Sequence, residues 1–218
     1  ALSQLAIPTD LKQIQKLTGC VAALSRFISR LGEKALPLYR LLQRTKHLEW
    51  MDAATARLEE IKALLATNPV LTAPNTGEPM LLYIAATHQV VSAVLVVERE
   101  ADGHKFPLQK QVYYVSTVIT PCKSRYPHYQ KIAYAVFMAS RKLRHYFQEC
   151  SITVASEVPL NDIINNRDAT GRIAKWAIEL LPFDIIYKPR RAIKSQVLAD
   201  FVAEWTEAEL LKEYDAYS

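Results

Sequence analysis

The sequence predicts an α/β chain in which a helical amino-terminal part precedes a domain of five strands interleaved with helices. Three observations carry that expectation. Apolar residues recur at helical spacing from Asp10 to Leu42, the period changes to that of strands after the turn-rich Pro74-Asn75-Thr76-Gly77, and the helical period returns between Tyr129 and Phe147.

The first stretch carries Leu11, Ile14, Leu17, Val21, Leu24, Phe27, Ile28, Leu31, Leu38, Leu41 and Leu42 at helical positions, with Thr9 placed to cap it. The apolar period runs straight through Gly19, which suits close approach, whereas Gly32 reads as a stop signal. A further helix, Asp52 to Ala66, puts Ala56, Ile61, Leu64 and Leu65 on one side, and Asn68-Pro69 closes it. The segments 80–86, 90–98 and 110–117 are rich in Val, Ile, Leu and Tyr, with Asp102-Gly103 in the polar run between the last two. They read as a three-strand antiparallel meander. The helix over 129–147 turns Ile132, Ala135, Val136, Ala139, Leu143 and Phe147 to one side. A strand over 150–155, a short helix over 159–165, a helix over 170–181, a strand over 183–188 and a last helix over 196–205 follow. After Glu204 the acids Glu207, Glu209, Glu213 and Asp215 read as a frayed acidic linker.

With 218 residues, half of them apolar, the chain can bury a substantial core, and two domains are expected. Lys+Arg number 27 against 22 Asp+Glu, and the imbalance is local: residues 1–48 hold eight basic and two acidic side chains. A basic end of this kind fits either contact with a polyanion or a solvated helix face. Cys20, Cys122 and Cys150 lie far apart without a CxxC pair, which signals neither a zinc knuckle nor a disulfide scaffold and fits a reducing cytoplasmic or nuclear compartment. The sequence has no basic-then-apolar leader and no long uninterrupted apolar run, so secretion and membrane insertion are not expected. It opens on Ala1 rather than Met and reads as a piece of something longer.

Several motifs narrow the reading. KLTGCVAALSRFISR, PLYRLL, LEW and LLATNPVL resemble the thumb end of a gypsy-type retrotransposon reverse transcriptase and the connector behind it. YYVSTVIT, SRYPHYQKIAYAVFMASRKLRHYF, KWAIELLPFDIIYKPR and VLADFVAE resemble the tethered ribonuclease H domain. The resemblance spans nearly the whole chain and points to plant elements of the Tat type, in which a degenerate ribonuclease H region precedes a second one. It implies a thumb remnant over residues 1–48, a connector helix and linker over 49–78, a ribonuclease H-like domain with a five-strand mixed sheet over 79–205, and an acidic tail over 206–218. The implied partners are an RNA/DNA hybrid or duplex and the upstream polymerase and downstream nuclease domains of a polyprotein.

The resemblance also implies where a nuclease would hold its metals. In the two-metal mechanism carboxylates grip a pair of divalent cations roughly 4 Å apart, so that the attacking and leaving oxygens are both stabilised. The four positions fall at Ala85, Ile132, Glu157 and Asp200. Hard cations take oxygen ligands, and Ala and Ile supply none. The expectation is therefore no catalytic residue, no bound metal and no cofactor, with at most a weak Mg between Glu157 and Asp200. A local cap or ion pair for one of these acids and an exposed loop position for the other is the competing account.

For nucleic acid, the candidates are Lys12, Gln15, Lys16, Gly19, Arg26 and Arg30, with Gln15, Gly19 and Ala23 on one small-residue helix face. By resemblance this is the thumb helix that lies along the minor groove, its flanking cations neutralising phosphates. Close packing of another helix is the alternative. A second basic group, Lys123, Arg125, Lys131, Arg141, Lys142 and Arg144, contains no acid, and Arg141, Arg144 and His145 share a helix face. It is either the exposed side of a packed helix or a phosphate-tracking surface. Lys188, Arg190, Arg191 and Lys194 form a basic turn.

His47, His88, His104, His128 and His145 show no metal-ligand spacing, and Trp50, Trp176 and Trp205 sit at apolar positions that suit core packing. No Gly-rich phosphate loop exists. The favoured role is a non-catalytic connection region; a domesticated protein-interaction module, working through a sheet edge or the helical arm, is the competing class, residual ribonuclease H activity a third, and self-association through exposed Leu and Ile an added expectation.

Overall fold

A computed structural model describes residues 8–42, 50, 52–66, 71–100, 107–166 and 170–190. The sequence-predicted helix over 196–205, Asp200, the acidic tail, His47, His104, Trp205, Arg191, Lys194 and the Asn68-Pro69 stop lie outside them.

Helix α1 spans Leu11–Ala23 and buries Ile14, Leu17 and Val21, one side of a helix at three- and four-residue spacing. Its cap is Asp10, one residue later than expected. The Asp10 carboxylate accepts the Gln13 N–H at 2.8 Å, and Gln13 Oε1 accepts the Thr9 N–H at 3.1 Å, so orphan donors at the helix start are paired reciprocally. A 3-10 turn, Ser25–Phe27, leads to α2 (Leu31–Lys34) and α3 (Leu36–Leu41). Helix α4 spans Asp52–Ala66 and shares one core with the earlier helices, through Leu17, Leu31, Leu38, Ala54, Leu58 and Ile61. The apolar side of α4 is therefore set by Ala54, Leu58 and Ile61; Ala56 is exposed. Trp50 packs against this core and donates its indole N–H to Thr55 Oγ1 at 2.6 Å.

The five-strand sheet is mixed, with spatial order β3-β2-β1-β4-β5. β1 (Met80–Ala86), β2 (Val90–Arg99) and β3 (Leu108–Val118) form the antiparallel meander, with an irregularity between Leu95 and Val96. β4 (Ile152–Ser156) joins β1 in parallel and β5 (Ile185–Pro189) joins β4 in parallel. β1 and β2 are buried along nearly their whole length, as their continuous apolar runs require of strands covered on both faces.

Between β3 and β4 run α5 (Pro121–Ser124), α6 (His128–Lys142) and α7 (Arg144–Glu149). The single helix expected over 129–147 is split at Leu143, which leaves helical geometry at φ −113°, ψ 30°. α8 (Leu160–Ile164) and α9 (Gly171–Leu180) connect β4 to β5. One sheet face, with Leu82, Ile84, Ala93, Leu95, Ile152 and Val154, forms the main core with α6 and α9. The other carries a smaller cluster of Tyr83, Ala85, Val94, Val96 and Ala155.

The helical arm meets that second face. Ala85 pairs with Ser92 and Ser92 with Ser116, so three small residues stand in one row across β1, β2 and β3. Ser116 Oγ lies 3.1 Å from Ser92 Oγ and accepts the Gly32 N–H at 2.9 Å. A Cβ at Gly32 would stand 2.7 Å from Ser116 Oγ and 3.3 Å from Val90 Cγ1. Gly32 is thus the close-approach glycine, inside α2 rather than a stop, whereas a Cβ at Gly19 meets nothing within 4 Å among the described residues. The stop expected at Gly32 is thereby corrected, while Gly19 lies inside α1, as the unbroken apolar period implies. No described helix is long and apolar enough to cross a membrane.

Candidate functional site

Ala85 sits near the carboxyl end of β1, almost fully buried in the second-face cluster. Ile132, in the first turns of α6, is buried in the main core on the other face. The two positions are thereby absorbed into separate apolar clusters. β4 ends at Ser156, so Glu157 is the first residue past the strand and about half exposed. Its carboxylate meets His128 Nε2 at 2.7 Å and Arg190 Nη1 at 3.7 Å, the exposed-acid arrangement anticipated as the competing account. Ser156, which the sequence reading passed over as a site residue, holds the buried strand end; its Oγ accepts the Val158 N–H at 3.1 Å and shapes the turn into α8. The strand's end in the structure, rather than the acid's identity, is the signal that singles it out.

These donors do not fit a pair of divalent cations. Two of the described positions offer a methyl and a sec-butyl group, and the remaining carboxylate is engaged by a histidine and an arginine. Among the described residues no three His, Cys, Asp or Glu side chains cluster. A cleft of about 320 Å³ does open at the tips of β4 and β5, lined by Glu157, Asn161, Asp162, Tyr187 and Lys188. Burial pushes the Tyr187 hydroxyl up to about 12, so it stays a neutral donor across the physiological range.

Residues 50–154 match the family model described as the RNase H-like domain found in reverse transcriptase. The strand order, the parallel β1-β4-β5 half and the flanking helices are that fold. In an alignment 198 positions long that covers 85% of this chain, it is 26% identical to the Transposon Tf2-3 and Tf2-4 polyproteins of Schizosaccharomyces pombe, of which it spans 14%. In structure it is similar to the foamy viral protease-reverse transcriptase solved in complex with RNA/DNA hybrid, at a TM-score of 0.71, with 19% identity, 88% of this chain covered and 26% of that one. The same protein solved with dsDNA gives a TM-score of 0.68 at 20% identity, covering 89% of this chain and 41% of that one.

Beside the RNase H-like fold, the basic candidates divide. Lys12, Gln15, Lys16 and Gly19 are exposed along α1, next to Ala22 and Ala23. A Cβ at Gly19 would meet nothing within 4 Å, so among the described residues no helix is packed there. Arg26 lies beyond the end of α1, its guanidinium over the rings of Phe27 at 5.3 Å and Tyr113 at 5.2 Å. Arg30 is buried, in left-handed backbone at φ 55°, and its guanidinium is held by Glu33. A buried, neutralised guanidinium is not available to a phosphate, so Arg30 leaves the list of contacts.

In the second group, Lys131 is buried along its stem and Lys142 donates to Ser116 O at 3.3 Å and Thr117 Oγ1 at 2.7 Å; burial lowers the pKa of both amines. Arg141 and Arg144 come together at a shallow depression with Glu179, Pro182 and Phe183, although they belong to two helices. His145 turns to Tyr146, at 3.9 Å between ring centroids. Trp176 is a core residue, 5.5 Å from Tyr134 and 6.0 Å from Phe137.

Proposed function

We propose that this chain is a non-catalytic connection region of a retrotransposon reverse transcriptase, holding RNA/DNA hybrid or duplex between polymerase and nuclease domains. The observation that carries this reading is that Ala85 and Ile132, where the first two carboxylates would stand, are each built into an apolar cluster. Two cations bring four positive charges, and without those two oxygens nothing bridges them. The exposed, open stripe of Lys12, Gln15, Lys16 and Gly19 on α1 supports contact with a phosphate backbone at close range. A structural relative solved with RNA/DNA hybrid supports the choice of ligand. The chain covers only 14% of its curated relatives, so the polymerase and nuclease partners belong to the proposal. Placement among plant Tat-type elements rests on the quoted motif runs, and an intracellular, reducing setting on the three cysteines, free among the described residues.

The test is incubation of the chain with RNA/DNA hybrid and magnesium, beside a binding titration at two salt concentrations. No cleavage, with micromolar binding that weakens steeply as salt rises, is the expected result. Metal-dependent cleavage that disappears on Asp200→Asn overturns the non-catalytic reading. Absence of binding at low salt favours the protein-interaction module instead.

A further inference from the structure

We propose that the outer surface of α6, α7 and α9, with α5 beside it, is a second phosphodiester-binding track, on the side of the sheet opposite the helical arm. The proposal rests on the nucleic-acid reading above and adds a separate site to it.

Trp176 on α9 is the hub of an aromatic plate. Its ring centroid lies 6.2 Å from Tyr126, 5.5 Å from Tyr134 and 6.0 Å from Phe137. Each of those three rings carries a cation on its face: Arg172 over Tyr126 at 4.6 Å, Lys123 over Tyr134 at 4.7 Å and Arg141 over Phe137 at 5.4 Å. A cation seated on a ring keeps its charge while losing rotamer freedom, so part of the ordering cost of binding is met before a ligand arrives. Around the plate Arg125, Arg144 and Lys175 are exposed, and no ion pair within 4.0 Å engages them among the described residues. Glu179, half exposed, lies 4.0 Å from Arg141, lines the depression beside Arg144 and follows Lys175 by one turn of α9.

The arrangement selects the kind of anion. A small anion needs donors that converge, whereas three of these cations sit over three different rings and the six spread along α5, α6, α7 and α9. The depression between Arg141 and Arg144 is shallow, about 230 Å³, and encloses nothing. Six spread cations facing one half-exposed carboxylate match a line of phosphates. The location makes the track distinct: α6 packs on the main-core face, while the arm reaches the sheet through Gly32 and Ser116 on the other. A duplex lying along α1 and one lying along α6 and α9 are different segments of nucleic acid.

The experiment uses the whole chain and fluorescence anisotropy with an RNA/DNA hybrid and a DNA duplex of about 20 base pairs, at several salt concentrations. Arg144→Glu combined with Lys175→Glu changes only exposed, unpaired positions; the milder Arg144→Gln with Lys175→Gln, checked by circular dichroism melting, covers the case in which charge reversal unfolds the chain. The result expected is at least a tenfold loss of affinity at low salt for the reversal pair. The slope of log K against log salt should fall by about two. Loss should be independent of, and add to, that of Lys12→Glu with Lys16→Glu. Unchanged affinity and slope in the Arg144 and Lys175 variants, with loss in the α1 variant, overturns this track and leaves the nucleic-acid reading standing. No binding by the unaltered chain overturns both, and poly-glutamate displacing the duplex with the reversal pair abolishing its binding replaces the track with an acidic-protein site.

Discussion

Ile132 and Glu157 are both positions where a ribonuclease H resemblance places a carboxylate, and they lie in opposite surroundings. Ile132 is 1% exposed, packed between α6 and the sheet. Glu157 is 48% exposed, just past the end of β4, with His128 and Arg190 for company. In an interior position a carboxylate is tolerable only while a cation compensates it; without one, desolvation drives the site toward apolar side chains that improve packing. At the rim water does the compensating, and an acid can persist whether or not it has a task. The difference teaches that a surviving acid at the rim is weak evidence of chemistry, while an apolar residue in the interior is strong evidence against it.

The largest break in that comparison comes from restoring charge inside. Ile132→Glu should cost about 3–5 kcal/mol, the penalty of a buried charge without a partner, which rivals the whole stability of many domains. Ile132→Val, removing one methyl, should cost about 0.5–1.5 kcal/mol. Urea denaturation measures both; a Glu variant as stable as the Val variant would show that an unseen cation or base lies within reach.

Next in size is the contact that seals the second face. Gly32→Ala drives a Cβ to within 2.7 Å of Ser116 Oγ, so the hydroxyl must swing away from both Gly32 N–H and Ser92. A loss of about 1–3 kcal/mol is expected, in line with other overpacked sites. Gly19→Ala should do the reverse and stabilise by about 0.5–1 kcal/mol, since the helical site is open. Opposite signs in thermal melts confirm that Gly32 is packed tightly and Gly19 is open; equal signs refute it. If α1 lies against a nucleic acid, Gly19→Ala also weakens binding while raising Tm, a combination that packing alone does not produce.

The packed Gly32, expected as a stop, marks the boundary of what local sequence reveals. The bounds of β1, Met80–Ala86, are legible because an apolar run stands between turn residues on both sides. α6 and its buried Ile132, Ala135, Val136 and Ala139 are legible for the same kind of reason, a clean helical period. The partner of Gly32 is Ser116, 84 residues away, and no spacing along the chain brings the two together. Arg30 resembles any exposed cation in the sequence; only its left-handed backbone and the adjacent Glu33 bury it. On α4 the misjudged residue is Ala56, because short alanines leave the helix with little contrast between its sides, and tertiary packing on Leu38 and its neighbours selects Ala54 and Leu58. At the candidate nuclease site the substitutions Ala85 and Ile132 are readable from motifs, whereas the step from Ser156 to Glu157 depends on where β4 stops.

A third test stands between interior and rim. Glu78 receives two hydrogen bonds from Arg99, at 2.9 Å each, and one from the Asn75 N–H at 2.7 Å, and these hold its carboxyl down to about 2 from 4.5. Since the folded-state value is depressed, the pair's contribution is complete above about pH 4.5 and fades as pH falls toward 2. Glu78→Gln should cost about 1–2 kcal/mol at pH 7, after allowance for the partly exposed Arg99, and steadily less as pH falls through about 2. Urea midpoints of the two proteins across that window should converge; parallel curves would deny the ion pair any role.

The smallest effect belongs to Glu157. Both Glu157 and His128 are about half exposed, so water solvates each nearly as well as they solvate one another, and the Arg190 contact at 3.7 Å is long. Glu157→Gln keeps an acceptor for the histidine and should change stability by no more than about 0.5 kcal/mol. Its value lies in pairing it with Ile132→Glu: the two substitutions remove a charge at the rim and insert one in the interior of a single fold. If the rim substitution proves as damaging as the interior one, Glu157 is held by something more than solvent and a single exposed pair, and an ion seated against it in the 320 Å³ cleft becomes the simplest account of the excess.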